Sequence, residues 1–422
     1  MFLYKTFAGR RVARLLCAAL AVIFTLSWTG CAADEDAPAV PHEESSQIPA
    51  PLAGQELDIP AGDGQLPPHL GGVSAKAAVL MEAVSGEVVF GQNPDLRLPM
   101  ASTTKIMTAL VALEEMPPEA VITVPPETVG VEGSSIYLTA GETLTLEELL
   151  YALLLESAND AAETIAVAVA GSVADFAALM NRKAAALGLE NTCFQNPHGL
   201  DADGHYTTAR ELALLTRAAL QDPVFREICG TKRKTIPLHG TEGVRLLLNH
   251  NKLLGSYEGC IGVKTGYTRK TGRCLVSAAE REGVTLIAVT LNAPDDWRDH
   301  AAMLDYGFGV YEAVEPCPEG RYAVPLWVVS GMREYVMAES TAPLTLILRR
   351  DHGPIRAAVE LPRFTYAPVQ AGALMGQLVF YEEGSGGERK RLAVLPLTAA
   401  YGAEAIPKRA GLWARIRQII EK

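Results

Sequence analysis

The sequence predicts an α+β fold for the first folded part of the chain and a small all-β domain after it. Two observations support this division. Between residues 71 and 314, a β-hairpin pattern (AKAAVLMEAVSGEVVF, turning at Ser85-Gly86) precedes long apolar runs with helical periodicity. Between residues 318 and 400, short alternating runs such as YAVPLWVVS and LMGQLVFYEE are separated by Gly, Pro and charged residues. The segment AVEPCPEGR between the two regions is expected to be a hinge.

The composition limits the classes of function that the chain can have. Of its 422 residues, 49% are hydrophobic, so the chain can bury a large core in two or three domains. The formal net charge of −12 disfavours binding to nucleic acid. A folded, acidic protein is therefore expected.

The first 70 residues are expected to lie outside the folded domains. Basic residues precede an apolar run from Leu15 to Trp28, which is typical of a secretory signal and too short to favour a permanent spanning helix. We therefore predict a signal peptide over residues 1–33. Cys31 raises the alternative of a lipoprotein signal that ends before it, although Trp28 stands where such signals usually carry Leu. Residues 34–70, rich in Pro, Gly and acidic side chains, are predicted to form a disordered linker.

The first candidate for chemistry is the S-x-x-K motif Ser102-Thr103-Thr104-Lys105, which begins an apolar helical run. The i,i+3 spacing places the Ser102 hydroxyl and the Lys105 amine on one helical face, where they can share a proton. Burial and neighbouring cations would favour a neutral amine that can accept this proton. Alone, the motif is as well explained by a capping serine and a solvated lysine.

Two further motifs follow in the chain. Ser157-Ala158-Asn159 interrupts two apolar helical runs, where it is either a turn with an N-cap serine or a hydroxyl and an amide that face a cleft. Lys264-Thr265-Gly266 ends an apolar strand. The order S-x-x-K, S-x-N, K-T-G is the order used by penicillin-interacting enzymes.

Five strings of the sequence resemble the D-alanyl-D-alanine carboxypeptidases, the low-molecular-mass penicillin-binding proteins. They are PMASTTKIMTALVALE, LLLESANDAAETIA, FQNPHGLDADGHYTTARELA, GVKTGYTRKTGRCLVSAA and MLDYGFGVYE. The resemblance covers roughly residues 70 to 400. It implies the penicillin-binding-protein/β-lactamase-like transpeptidase fold, in which an antiparallel sheet has flanking helices and a helical subdomain, followed by the β-rich domain.

The resemblance also implies a mechanism. Ser102 would attack the bond between two D-alanines at the end of a peptidoglycan stem peptide, Lys105 would take its proton, and Ser157 would relay a proton to the leaving amine. Water would then release the shortened peptide from the acyl-enzyme. β-Lactams would acylate Ser102 because they mimic the D-Ala-D-Ala bond. No cofactor or metal is expected.

The residues that hold the substrate are inferred in the same way. Asn159 would bind the substrate amide, and Lys264, Thr265 and Gly266 would form the strand that pairs with the substrate and orients its carboxylate. The backbone N–H groups of Ser102 and Tyr267 would form the oxyanion hole.

A free substrate carboxylate calls for a cation, for which arginine offers a bidentate partner. Arg298, in APDDWRDHAAML, lies close to where related enzymes place such a residue. The alternative is a surface arginine paired with Asp296 or Asp299 at the start of a helix.

The triad Lys-Thr-Gly occurs again at Lys270-Thr271-Gly272. The second copy follows Gly-Tyr-Thr-Arg and precedes the apolar run CLVSAA, so we assign it to the turn of a hairpin in which Gly272 supplies conformational freedom. The catalytic strand is predicted to end at Gly266. Lys270 should therefore be dispensable.

Histidines and cysteines offer other candidates for chemistry. His198 and His205 lie in NPHGLDADGHYT, whose turn-rich composition favours a loop that shapes the cleft floor over a catalytic base or metal ligand. Beyond the linker, the cysteines are odd in number and match no metal-binding spacing, so isolated thiols are expected. They are Cys193, Cys229, Cys260, Cys274 and Cys317.

The C-terminal segment, residues 405–422, is predicted to form an amphipathic helix. In GLWARIRQIIEK, the apolar side chains fall within an arc of about 120° at 100° per residue. Basic residues occupy much of the remaining surface, which is typical of a helix lying on an anionic membrane. The alternative is a helix packed on its own domain. With the signal peptide, this pattern places the protein at the outer face of the cytoplasmic membrane.

Two other functions share the same motifs. A β-lactamase needs a deacylating glutamate in an E-x-x-L-N string, which Glu190-Asn191 does not provide. A penicillin-binding sensor would acylate without turnover. The complete set of motifs favours the carboxypeptidase over both.

Overall fold

The computed structural model describes residues 57–238, 242–317, 322–384 and 386–407. The strands of the first domain are β1 (Ala77–Glu82), β2 (Val88–Gln92), β3 (Val121–Thr123), β4 (Thr143–Thr145), β5 (Arg233–Pro237), β6 (Val244–Leu248), β7 (Cys260–Thr268), β8 (Gly272–Arg281) and β9 (Val284–Leu291). Its helices are α1 (Lys105–Glu115), α2 (Leu146–Leu155), α3 (Asn159–Ala170), α4 (Val173–Ala186), α5 (Ala209–Ala219), α6 (Pro223–Gly230), α7 (Leu253–Ser256) and α8 (Asp296–Val310).

Five of these strands form the central sheet, in the order β2-β1-β9-β8-β7 and antiparallel throughout. Successive side chains of a strand point to opposite faces, so the apolar runs of β1, β8 and β9 supply two cores. Val79 belongs to the core on one face, which also includes residues of α1, α2, α3 and α5. Leu80 belongs to the core on the other face, together with Met303 and Leu304 of α8. The strand β7 lies at one edge of the sheet, where one side of its backbone is open to a ligand.

The helical layer positions the segment between α2 and α3. The helix α2 begins with a capping box, in which Thr145 and Glu148 each bond the other's backbone N–H. It is apolar on nearly every side, and Leu149, Leu150 and Leu153 are fully buried at its centre. Each such leucine contributes about 1.5–3 kcal/mol relative to exposure. This packing fixes where α2 ends, and thus where the following polar residues lie.

The second domain consists of two β-sheets. Its strands are β10 (Tyr311–Cys317), β11 (Tyr322–Val329), β12 (Tyr335–Ser340), β13 (Leu344–Arg349), β14 (Ile355–Glu360), β15 (Phe364–Tyr366), β16 (Leu374–Glu383) and β17 (Arg389–Ala399). β10 pairs with β13, and the others form a sheet in the order β14-β16-β17-β12-β11-β15. Leu346 and Leu348 of β13 share one core with Leu378 and Phe380 of β16. The domain therefore begins at β10, directly after α8. The prediction of a hinge is wrong for residues 313–317, which form part of this strand and pair with β13.

The prediction of a disordered linker is wrong for residues 57–70. Leu57 is buried in the core of the second domain, and Ile59 forms a two-way backbone bridge with Ile355. Asp58 accepts a hydrogen bond from the backbone N–H of Ala357. The composition of this segment suggested a tether, but the exposed edge strand β14 supplies backbone partners that the sequence does not reveal.

Several predictions concern residues outside the described ranges. The signal peptide, Cys31 and the start of the linker lie there, as does the C-terminal helix from residue 408 onward. The prediction that this helix begins at residue 405 is wrong, because Ala405 forms an antiparallel backbone bridge with Gly331. Within the described ranges, no single helix is long and apolar enough to cross a membrane; α3 and α4 reach that length only together, and they meet at an 83° bend.

Candidate active site

Ser102 lies on a short 3₁₀ turn, Ala101–Thr104, which leads directly into α1. The turn is held by its own threonines, because Thr103 Oγ1 donates to Met100 O and Thr104 Oγ1 donates to Ala101 O. Ala101 has a φ of +48°, a conformation that non-glycine residues rarely adopt. Gly199 makes room for it, since a Cβ at Gly199 would lie 1.9 Å from Ala101 O. Ser102 is thus presented by a constrained turn.

Lys105 is completely buried beneath Ser102. Its Nζ lies 3.1 Å from Ser102 Oγ, 2.6 Å from Asn159 Oδ1 and 2.7 Å from the backbone oxygen of His198. The last two atoms can only accept hydrogen bonds. A neutral amine that donates its two hydrogens to them keeps its lone pair for the hydroxyl of Ser102.

The surroundings of Lys105 favour this neutral form. Burial, followed by the charge of nearby Lys264, holds the pKa of the Lys105 amine well below its ordinary value of 10.5, against a smaller opposing effect of Asp160. Burial also lowers the pKa of Lys264, to about 7. The Lys105 amine therefore loses its charge more readily than an ordinary lysine, and in its neutral form it can take the hydroxyl proton of Ser102.

The segment between α2 and α3 brings Ser157 and Asn159 from the helical layer to the site of Ser102 and Lys105. Ser157 is nearly buried and has a φ of +61°, another uncommon conformation for a residue with a side chain. Asn159 starts α3, and its amide nitrogen donates to the backbone oxygen of Glu132 at 2.6 Å. Gly133 lies against that amide: a Cβ there would come within 2.8 Å of Asn159 Nδ2. The side chain of Asn159 is thus fixed at both ends.

The edge strand β7 completes the site. Lys264 is buried and donates to the backbone oxygen of Thr265. Gly266 lies directly against the nucleophile turn, because a Cβ at this position would be 3.1 Å from Ser102 N and 3.2 Å from Met100 O. A side chain at this position would require the nucleophile turn to shift by a few tenths of an ångström.

These elements border one cleft of about 350 Å³. Its lining includes Ser102, Ser157, Thr265, Gly266 and Tyr267. The buried Lys105, Asn159 and Lys264 lie behind these residues, as their contacts show. Except for Arg298, the structure thus brings together the residues that the sequence singled out.

Comparison with known proteins identifies the family. A profile described as D-alanyl-D-alanine carboxypeptidase matches residues 65–295, more than half of the chain. The chain belongs to the D-alanyl-D-alanine carboxypeptidase family. The carboxypeptidase DacF of Bacillus subtilis strain 168 is 31% identical over 320 residues, which cover 74% of this chain and 82% of that protein.

Solved structures of related enzymes support the family assignment and share the fold. Penicillin binding protein 5 from Haemophilus influenzae, 25% identical, matches 81% of this chain and 100% of its own with a TM-score of 0.60. The DD-transpeptidase of Streptomyces K15, 32% identical, matches 58% of this chain and 100% of its own with a TM-score of 0.55. The predicted fold and the predicted class of enzyme, a serine-type hydrolase, are confirmed.

The placement of Arg298 in the carboxypeptidase site is corrected by the structure. Its side chain is 85% exposed and lies 3.8 Å from Asp295. Neighbouring residues of a helix point about 100° apart, so Trp297 faces the cleft whereas Arg298 faces solvent. The alternative of a surface arginine paired with an acid is therefore the better description, with Asp295 as the acid.

Several residues of the site were not predicted from the sequence. Among them, Arg273 and Asp296 line the cleft. The pairing of β7 with β8 could have indicated Arg273, which lies directly opposite Tyr267. The backbone oxygen of His198 is another contributor, and no side-chain pattern indicates its role.

The imidazoles of the NPHGLD region have local structural contacts. The ring of His198 lies 3.3 Å from Glu163, and His205 contacts Thr104 Oγ1 and the backbone N–H of Gln195. Burial lowers the pKa of His198 to about 3 and that of His205 to about 4, so both rings are neutral at physiological pH. These contacts agree with the interpretation of the loop as the floor of the cleft.

The second Lys-Thr-Gly lies at the turn of the β7–β8 hairpin, although β7 runs two residues further than predicted, to Thr268. Gly272 has a φ of +74°, which favours glycine. Thr271 and Thr268 both donate to Asp201, which ties the turn to the loop after His198. Lys270 borders a separate cleft that does not include Ser102.

The lowered pKa of Lys105 predicts a pH dependence of acylation. Since only the neutral amine can accept the proton of Ser102, the rate constant for acylation by penicillin should rise with pH and level off well below pH 10.5. Lys264→Met removes a neighbouring positive charge, so the pKa of Lys105 should increase and the rise should move to higher pH. Lys270→Met, a matched change in the second triad, should leave its position unaltered. If the increase of the acylation rate constant occurs at the same pH or at a lower pH in Lys264→Met, then Lys264 does not lower the pKa of Lys105.

Proposed function

We propose that Ser102 is the nucleophile of a D-alanyl-D-alanine carboxypeptidase that removes the terminal D-alanine from peptidoglycan stem peptides. One observation carries this proposal: the buried Lys105 amine, its pKa lowered, lies 3.1 Å from Ser102 Oγ with its other hydrogen-bonding positions occupied. This is the arrangement that converts a serine into a nucleophile without a metal or cofactor.

In the acylation step, Ser102 Oγ attacks the carbonyl carbon of the penultimate D-alanine and its proton passes to Lys105. The developing oxyanion is stabilised by the backbone N–H groups of Ser102 and Tyr267. Ser157, which also lines the cleft, relays a proton to the amine of the departing D-alanine. The acyl-enzyme on Ser102 is then hydrolysed by water.

Substrate binding follows from the positions of the remaining residues. The stem peptide pairs with the open edge of β7, as an added strand, along Thr265, Gly266 and Tyr267. Asn159 bonds the substrate amide, using the second hydrogen of its side-chain nitrogen. Lys264 lies beneath this edge, where its charge attracts an anionic substrate and lowers the pKa of Lys105.

Penicillins acylate the same serine in this proposal, and the acyl-enzyme that they form is not rapidly hydrolysed. Among the described residues that line the cleft, Asp296 is the sole carboxylate, and it is paired with Arg273. No lining glutamate is placed to activate water as a β-lactamase requires. This favours the carboxypeptidase over the β-lactamase.

Release of D-alanine tests the proposal. The protein should liberate D-alanine from a peptide ending in D-Ala-D-Ala, and Ser102→Ala should abolish both this release and labelling by a fluorescent penicillin. Ser134→Ala, which removes another hydroxyl at the same cleft, should still be labelled. Mass spectrometry of the penicillin adduct should place it on Ser102. Labelling without release would support a sensor, and rapid hydrolysis of the penicillin would support a β-lactamase.

We also propose that the protein is exported and held at the outer face of the cytoplasmic membrane by residues 408–422, with lipidation of Cys31 as a second anchor. The membrane attachment is supported by apolar side chains that are exposed near the end of the described chain. Ile406 is 58% exposed and pairs with the loop after β11. On β11 and the adjacent β15, exposed apolar side chains share one face: Trp327, Val329, Phe364 and Tyr366. Such a surface suits the interface of a membrane.

Fractionation tests the anchor. Deleting residues 408–422 should move the protein from the membrane fraction toward the soluble fraction, because the apolar face of the helix supplies most of the binding. The deletion should be made in both the natural chain and a Cys31→Ala chain, since a lipid on Cys31 would hold the protein independently. If the Cys31→Ala chain stays on membranes without residues 408–422, the proposed helix anchor is wrong.

A further inference from the structure

A substrate that ends in D-alanine carries a free carboxylate, and the cleft must supply a cation for it. Arg298 points into solvent and does not border the cleft. Among the described residues that do, the side chains able to carry positive charge are His250, Lys252 and Arg273. The question is which of these three faces the end of the substrate.

Of the three residues, Arg273 lies on β8, the strand that pairs with the substrate-binding strand β7. It is the second residue of β8 and pairs directly with Tyr267 across the hairpin. Its diagonal neighbour on β7 is Thr265, which pairs with Leu275 two residues further along. Residues in these positions project from the same face of the sheet, with diagonal Cα atoms about 7–8 Å apart. The Arg273 side chain is long enough to reach a group bound at the hydroxyl of Thr265.

The guanidinium of Arg273 is held in place by the start of α8. Its Nη2 donates to Asp296 Oδ1 at 2.7 Å, and its Cζ lies 5.6 Å from the centre of the Trp297 ring. Asp296 is itself buried and accepts from the backbone N–H of Trp297. Within the described part of the chain, this is the one side-chain hydrogen bond of Arg273, so its other N–H groups are available to a ligand. The side chain is 43% exposed and can be reached from the cleft.

We infer that Arg273 binds the terminal carboxylate of the substrate together with Thr265, and that Asp296 and Trp297 position its guanidinium. This inference rests on the proposed function. The planar guanidinium can form two parallel hydrogen bonds with a carboxylate, and the pairing with Asp296 lowers the conformational freedom lost when the substrate binds. Asp296 offsets part of the charge, so the main contribution of Arg273 is directional.

The other two cations fit this role less well. The Nε2 atom of His250 lies 3.5 Å from Glu156 Oε2, so the imidazole already has a carboxylate partner within the protein. Burial also lowers the pKa of the imidazole, which disfavours its charged form. Lys252 is exposed and is the N-cap residue of the short helix α7. Its side chain makes no capping hydrogen bond that would fix its position. Neither residue has the constrained planar geometry of Arg273.

The test compares substrates with and without the carboxylate. The rate constant for acylation is measured with a penicillin and with its methyl ester, and kcat/KM is measured with a D-Ala-D-Ala peptide and with its C-terminal amide. Arg273→Gln should lower the rates for the acids by about 30- to 100-fold, as expected for loss of hydrogen bonds between charged groups. The rates for the ester and amide should change less than about threefold. Arg298→Gln, the matched arginine on the same helix as Trp297, should alter none of them.

Two further variants separate binding from a structural role. Arg273→Lys keeps the charge but loses the planar fork, so it should recover only part of the preference for the acids. Asp296→Asn should weaken that preference less than Arg273→Gln does. Equal losses for acids and their neutral analogues in Arg273→Gln would indicate a structural role and overturn the inference, as would loss of the preference in Arg298→Gln or Lys252→Gln. If the natural protein reacts with penicillins but releases no D-alanine, the proposed function fails while the penicillin comparison still tests Arg273.

Discussion

The site depends on the burial of the Lys105 amine beneath Ser102. Three separate parts of the fold meet at this one nitrogen: Ser102 on the turn before α1, Asn159 at the start of α3, and the backbone of His198 in a loop. Removing a charged ammonium from water costs several kcal/mol, so the amine is driven toward its neutral form. The packing that buries Lys105 in the core therefore also makes its amine available as a base.

The surrounding structure maintains this burial. The loop that supplies the backbone oxygen of His198 can pack against the nucleophile turn because Gly199 has no Cβ. The edge strand β7 also lies close to Ser102 at Gly266, where a Cβ would force the nucleophile turn to shift by a few tenths of an ångström. Lys264 adds a second buried cation, which disfavours a charge on Lys105 and favours an anionic substrate. Catalytic power is expected to come from these preorganised groups together, and not from any single strong contact.

Much of this could be predicted from the sequence because the motifs are local. The i,i+3 spacing of Ser102 and Lys105 is a property of helical geometry, and the hairpin that contains both Lys-Thr-Gly triads follows from alternation and a glycine turn. The rest depends on contacts that no local pattern specifies. Residues 57–70 have the composition of a linker, yet they pair with an edge strand distant in sequence. Arg273 and Arg298 have equal chemistry, and the turn of α8 together with the register of β8 decides which one faces the cleft.

Burial is expected to hold the pKa of the Lys105 amine well below its ordinary value of 10.5, so that the neutral base forms readily beneath Ser102. The most direct measurement is an NMR titration of the protein labelled with ¹⁵N at lysine Nζ, with the Lys105 signal assigned by its loss in Lys105→Gln. Lys105 should titrate well below the ordinary lysine value of 10.5, because burial disfavours its charged form. A Lys105 signal that remains that of a charged ammonium until the pH approaches 10.5 would show that burial does not create a base at this position.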